Sequence, residues 1–228
     1  MSEQDALSSA RIGAVLFDLD GTLIDSAPDL GGAGNDMRVA RGLPPHPLEH
    51  FRPMVGSGAR GMVGRAFGVG PEHETFIELR DEFLQRYEAR ITQQTRLFPQ
   101  MQAVLAALHA HAVPWGIVTN KAARFSEPLV RALGLLPPAA TLVCGDTTPH
   151  SKPHPAPLLE AARRVGVPAF ECVYVGDDLR DVQAGRAAGM MTIAVAWGYL
   201  GAGEPIEAWD ADHIAHTPGD LLKLLRMA

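Results

Sequence analysis

Five short apolar runs dominate the chain's pattern: Ile12–Asp18, Pro114–Thr119, Thr141–Cys144, Cys172–Val175 and Met191–Ala196. None alternates apolar with polar residues, as a strand with one wet face would. Unbroken runs of this length suit strands covered on both faces. A shorter run, His213–Ile214, offers a sixth strand. Helical spacing fills the intervals. Val104, Leu105 and Leu108 share a face, as do Leu158, Ala162 and Val165. Phe125, Leu129, Ala132, Leu133 and Leu136 form a longer repeat, and Leu221, Leu222 and Leu225 close the chain. Thr217-Pro218-Gly219-Asp220 reads as an N-cap, a first-position proline and a first-turn acid. Strand–helix alternation predicts βαβ units and an α/β fold with a doubly wound parallel sheet. Ligands in such sheets bind at the carboxyl ends of the strands.

One connection is too long for a crossover. Between Asp25 and about Phe98 there is no strand pattern, and Phe76, Leu79, Phe83 and Tyr87 mark an amphipathic helix with an apolar core of its own. A helical cap of residues 25–97 is expected here, inserted after the first strand into a core of 1–24 and 98–228. Its hinges fall at Ser26-Ala27-Pro28 and Thr95–Pro99.

Four polar clusters sit where the runs end or between them. The first is Asp18-Leu19-Asp20-Gly21-Thr22-Leu23. Two carboxylates beside a buried strand are costly unless a cation binds them. The second, Thr119-Asn120-Lys121, puts a hydroxyl and an amide at a strand end, where they can donate to phosphate oxygens. The third is Ser151-Lys152-Pro153-His154-Pro155, in which two prolines restrict the backbone around Lys152. The fourth, Gly176-Asp177-Asp178-Leu179-Arg180-Asp181, brings three more acids to a strand end. Two like charges 4 Å apart cost roughly 4 kcal/mol at an effective dielectric of 20. Acids gathered in this way call for a divalent cation, and with only oxygen donors on offer the first choice is Mg²⁺.

Composition excludes other readings. The chain has 228 residues and a formal net charge of −6, the wrong sign for a nucleic-acid surface. No run is long and apolar enough to span a bilayer. Residues 1–10 are polar rather than signal-like. Cys144 and Cys172 lie in apolar runs without metal spacing and read as buried small side chains, which fits a reducing, cytoplasmic setting. The histidines form no ligand set: His213 falls on a strand three residues from His216, and His109 and His111 read as surface.

In this order, the four clusters resemble the motifs of the haloacid dehalogenase superfamily, over nearly the whole chain. Asp-Leu-Asp-Gly-Thr-Leu at 18–23 with Gly-Asp-x-x-x-Asp at 176–181 is specific to it. Ile-Asp-Ser-Ala-Pro-Asp-Leu at 24–30, Val-Thr-Asn-Lys at 118–121 and Gly56-Ser57-Gly58 are similar to the phosphoglycolate phosphatase branch. Gly-Asp-Asp-Leu-Arg-Asp at 176–181 and Trp197-Gly198-Tyr199 are also similar to phosphatases acting on N-acetylmuramic acid 6-phosphate. The resemblance implies a phosphatase for a small phosphate monoester, 2-phosphoglycolate in the first place and N-acetylmuramic acid 6-phosphate as the alternative, working through an aspartyl-phosphate. It makes Asp18 the nucleophile and Asp20 the acid and base. Mg²⁺ is held by Asp18, the backbone carbonyl of Asp20, and Asp177, with Asp178 and Asp181 orienting bound water or Lys152. Thr119 and Asn120 grip the phosphoryl oxygens, and Lys152 offsets charge. Asp178 departs from the Ser or Thr frequent in relatives. From the cap, Gly56, Ser57, Gly58 and Arg60 are the candidate substrate-facing residues. A sugar phosphomutase would use the same clusters. A signalling receiver would not need the insert, and dehalogenation would not need Asp20.

Overall fold

The computed structural model describes residues 12–201 and 203–227, so the N-terminal segment 1–10 lies outside the described residues. All six expected strands are present, most of them trimmed at the ends. They are β1 (Ala14–Phe17), β4 (Trp115–Val118), β5 (Thr141–Val143), β6 (Cys172–Gly176), β7 (Met191–Val195) and β8 (His213–Ala215). They form one sheet in the order β5-β4-β1-β6-β7-β8, and every pairing is parallel. The fully buried β1 takes a central place between β4 and β6.

Covered faces explain the unbroken apolar runs. Val15 and Phe17 point into the larger core with Val104, Leu108 and Leu129, while Ala14 and Leu16 point the other way onto Leu158, Ala161 and Ala184. Successive side chains of a strand face opposite sides, so a strand buried on both must be apolar throughout. The flanking helices are α5 (Met101–Ala110), α6 (Ala123–Ala132), α7 (Ala156–Val165), α8 (Leu179–Ala187) and α9 (Pro218–Leu224). The repeat read through Leu136 breaks sooner. Gly134 turns left-handed at φ 68°, and Leu135 N–H closes on Val130 O at 2.8 Å, ending α6. Thr217 and Asp220 cap α9 reciprocally, as the sequence predicts.

The long insert is helical. It contains α1 (Ala27–Val39), α2 (Leu48–Phe51), α3 (Gly58–Phe67) and α4 (Phe76–Glu88), with a 3₁₀ segment over Arg52–Ser57. Gly31 lets α1 approach closely: a Cβ there would sit 2.9 Å from Leu48. One feature of the insert has no sequence signal. Its two ends pair as an antiparallel ribbon, β2 (Ile24–Asp25) against β3 (Arg96–Leu97). Two residues per strand are too few to show a period. Asp29, fully buried, accepts from the N–H groups of Gln94 (2.9 Å) and Thr95 (2.8 Å) and from the Thr95 hydroxyl (2.8 Å), so the two connections are bound to each other.

Candidate active site

The ends of β1, β4 and β6 converge on a cavity of about 340 Å³ roofed by the helical insert. Asp18 is the first residue past β1. Its N–H reaches Val175 O at 2.8 Å, which extends the ladder and fixes the side chain over the strand end. Lys152 Nζ donates to Asp18 Oδ1 at 2.8 Å. Burial is the main influence on Asp18 and pushes its carboxyl up to about 7. Lys152 opposes that rise, and the charges of Asp181 and Asp20 add to it.

Lys152, in the loop after β5, is almost wholly buried. Its ammonium also touches Asp181 Oδ1 (2.7 Å), Tyr174 OH (2.8 Å) and Val118 O (3.0 Å). Asn120 holds the backbone that carries it: the amide donates to Lys152 O at 3.0 Å and accepts from Lys152 N at 2.9 Å. The Asn120 side chain is therefore committed to Lys152, and the phosphate-gripping role implied for it would fall to its backbone. Thr119 is buried beside it.

Asp177 follows Gly176, the last residue of β6. Its Oδ1 accepts from Thr22 Oγ1 at 2.9 Å and its Oδ2 from Tyr199 N at 2.8 Å. Burial, then the charges of Asp18 and Asp181, hold this carboxyl well above the usual range. Gly21, at φ +92°, makes room for it, since a Cβ would lie 2.2 Å from the carboxylate. The structure divides the labour of the last two acids. Asp181 faces Lys152 and accepts from Asp178 N at 3.1 Å. Asp178 caps α8, and its carboxylate is taken by Arg180 Nε and Nη2, both at 2.8 Å, with no hydrogen bond to Lys152. Burial alone would raise the Asp178 pKa, but the Arg180 bonds outweigh it and the pKa is lowered. Arg180 also donates to Gly56 O of the insert at 2.6 Å.

Asp20 lines the same cavity. Ser26 Oγ donates to its Oδ1 at 2.5 Å, and Lys121 Nζ lies 3.0 Å from its Oδ2. The sequence assigns Lys121 no role, because a lysine at a strand end is ordinarily solvated. Here its ammonium sits 4.9 Å from the centre of the Tyr87 ring, under α4. Of the cap candidates, Gly56 and Gly58 line the cavity. Ser57 and Arg60 are exposed and do not line it, whereas Arg124 and Arg180 do. Tyr199 stands out in the sequence only through a resemblance. No local pattern shows that its hydroxyl reaches back to the start of the insert.

Carboxylate oxygens of Asp18, Asp177 and Asp181 all lie within 4.8 Å of one another. Asp20 is paired with Lys121 and Asp178 with Arg180, so these three acids face a single ammonium, Lys152. Fully ionised, the three acids would carry two negative charges beyond that ammonium, on hard oxygen donors that one divalent cation would balance. The residues present fit such an ion.

A family model for the haloacid dehalogenase-like hydrolases matches residues 15–195. The chain belongs to that family. An N-acetylmuramic acid 6-phosphate phosphatase of Pseudomonas aeruginosa is 41% identical over 218 residues, covering 96% of each chain. A phosphoglycolate phosphatase of Xanthomonas campestris pv. campestris is 46% identical over 211 residues, covering 91% of this chain and 94% of its own. Among solved structures, one described as a predicted phosphoglycolate phosphatase from Haemophilus somnus superposes with a TM-score of 0.82 at 28% identity, covering 93% of this chain and 97% of that one. This haloacid dehalogenase-like hydrolase is accordingly a phosphoric monoester hydrolase with a helical cap inserted after the first strand of its sheet.

Proposed function

We propose that this enzyme hydrolyses 2-phosphoglycolate in a Mg²⁺-dependent reaction through an aspartyl-phosphate on Asp18. The observation that carries the reading is the Asp18 carboxylate at the end of the central strand, neutralised by Lys152 at 2.8 Å, with Asp20 lining the same cavity. Asp18 attacks phosphorus, a carboxyl oxygen–phosphorus bond forms, and the ester bond breaks. Asp20 gives its proton to the leaving oxygen and then takes one from the water that attacks the acyl phosphate. Ser26 and Lys121 hold Asp20 at the position both transfers require. Lys152, steered by Asp181 and Tyr174, offsets the charge of two anions brought together. Thr119 and the Asn120 backbone bind phosphoryl oxygens. Asp18, the Asp20 carbonyl and Asp177 would hold Mg²⁺, which supplies further charge neutralisation when bound. Residues 25–97 act as the lid, hinged on the β2–β3 ribbon, over a core of 1–24 and 98–228. A lid excludes water from the transfer and then releases product.

A second substrate is favoured by one observation. The cavity, at about 340 Å³, has walls that include Leu30, Val55, Phe83, Leu84 and Tyr87. That volume and surface suit a sugar phosphate such as N-acetylmuramic acid 6-phosphate as well as the much smaller phosphoglycolate. The buried free thiols of Cys144 and Cys172 support a cytoplasmic setting. No helix among the described residues is long and apolar enough to cross a membrane. Ranking kcat/KM for both esters and p-nitrophenyl phosphate, with Mg²⁺ and with EDTA, tests the reading. Turnover that needs Mg²⁺ and favours 2-phosphoglycolate supports it, and a preference for N-acetylmuramic acid 6-phosphate transfers the reading to the second substrate. Equal turnover in EDTA, or no preference for either ester, refutes it.

A further inference from the structure

Four cationic side chains line the cavity: Lys121, Arg124, Lys152 and Arg180. Three are already neutralised. Lys121 pairs with Asp20, Lys152 with Asp18 and Asp181, and Arg180 with Asp178. Arg124 has no carboxylate partner among the described residues; its guanidinium lies 4.3 Å from the centre of the Phe125 ring. Such stacking holds the planar group in place and leaves its edge free for a bidentate partner.

Arg124 also stands where local structure gives it no reason to be. It is the second residue of α6 (Ala123–Ala132). A cation in the first turn opposes the helix dipole rather than stabilising the helix. The position is nonetheless favourable for an anion: the positive end of the helix and an unspent guanidinium meet at the cavity rim, where Arg124 is exposed. The phosphate itself is served deeper in, around Asp18 and Lys152.

We propose that Arg124 is the specificity-determining residue that reads the substrate's carboxylate, at the end of the substrate remote from the phosphate. The proposal rests on the reading above that the substrate carries a carboxylate besides the phosphate. It moves that recognition from Arg60, which does not line the cavity, to the core side of the site.

The test compares 2-phosphoglycolate with 2-hydroxyethyl phosphate, which replaces the carboxylate by a neutral CH₂OH, in wild type, R124Q and R124K. Losing one charge-assisted hydrogen bond should raise KM for 2-phosphoglycolate by about tenfold or more in R124Q. KM for 2-hydroxyethyl phosphate should stay within about twofold, kcat should be nearly unchanged for both, and R124K should recover part of the loss. Thermal melting of R124Q should match or slightly exceed wild type, because the helix loses an unfavourable charge. A wild-type preference for the carboxylate ester that survives R124Q overturns this proposal alone. Equal KM losses on both esters overturn it too, placing Arg124 on the phosphate. A wild type with no preference between the two esters removes the carboxylate-bearing substrate, and this proposal with it.

Discussion

The floor and the roof of the cavity are built on opposite terms. On the floor, buried charges are tied down several times over: Lys152 alone has four partners within 3.0 Å, and both oxygens of Asp177 are occupied. The roof, drawn from the helical insert, offers apolar side chains and the backbone of Gly56 and Gly58. A preorganised floor lowers the barrier because its dipoles need no rearrangement when charge moves. A roof without fixed charges can shift, and can be recut for another substrate, without disturbing that array. The contrast predicts that floor substitutions act on kcat and on stability together, whereas changes at the joint with the roof act on KM.

Asp18→Asn is the severest break on the floor. The amide neither attacks phosphorus well nor binds a divalent cation strongly, so turnover should fall by about 10⁴-fold or more, to the limit of detection. Circular dichroism should remain native, since the substitution is isosteric. A folded D18N variant that still turned over would take the nucleophile's role away from Asp18.

Lys152→Ala should reduce turnover by about 10²–10³-fold, the scale of losing an electrostatic stabiliser of the transition state. It should also destabilise the fold. Removing one partner of a buried ionic group costs about 3–5 kcal/mol, because the acids left behind are uncompensated. Denaturant melts without metal would show this, and Mg²⁺ should recover part of the loss. An unchanged midpoint would mean that solvent reaches the floor far more freely than the burial of Lys152 implies.

Burial of the floor's acids sets a pH dependence. The folded pKa of Asp18, about 7, lies above its ordinary 3.8, mainly through burial. A raised acid favours the fold while protonated. That stability is fully present below about pH 4 and is lost as pH rises through 7, by up to ~1.4 kcal/mol per unit. The raised Asp177 adds to the trend in the same direction. Mg²⁺ competes with these protons, so the Tm gain on adding a fixed Mg²⁺ concentration should widen from pH 5 to pH 8. A gain independent of pH would mean that the ion binds away from Asp18 and Asp177.

How far the sequence can be read follows the same division. The six strands are legible because burial on two faces forces unbroken apolar runs. The acids of the floor are legible because so many carboxylates at strand ends would repel one another unless a cation joined them. What the sequence hides depends on contacts between segments far apart in the chain. Lys121 looks like any surface lysine until Tyr87 of α4 covers it. Asp178 and Asp181 are indistinguishable as letters, and only the turn into α8 sends one to Arg180 and the other to Lys152. A glycine-rich neighbourhood points to Arg60, but glycines mark where a backbone can approach, not where the next side chain points. The β2–β3 ribbon is too short to leave a period at all.

Tyr199 joins floor to roof, and its loss should produce the smallest of these effects and the most informative one. Its backbone N–H donates to Asp177 Oδ2 at 2.8 Å. Its hydroxyl accepts from Ser26 N at 2.8 Å and Ala27 N at 3.0 Å, at the start of α1, and donates to Asp25 Oδ1 at 2.9 Å. Asp25 is in turn held by Arg52, with Nη2 at 2.6 Å from Oδ2. Tyr199→Phe keeps the backbone contact to the floor and deletes only the hydroxyl contacts to the start of the insert, where the proposed hinge lies. Buried Ser26 N–H loses its acceptor, which costs about 1–3 kcal/mol, while Ala27 N–H keeps Asp25 Oδ1 at 3.3 Å. The hinge should loosen and the floor should not. KM should therefore rise about three- to tenfold with kcat within about twofold of wild type, and Mg²⁺ affinity should stay constant because both Asp177 donors survive. Steady-state kinetics together with Mg²⁺ titration of the Tm separates the cases. If instead kcat falls by about a hundredfold with KM unchanged, the hydroxyl acts on the floor through Asp177, and the two regions are not the independent parts that their chemistry suggests.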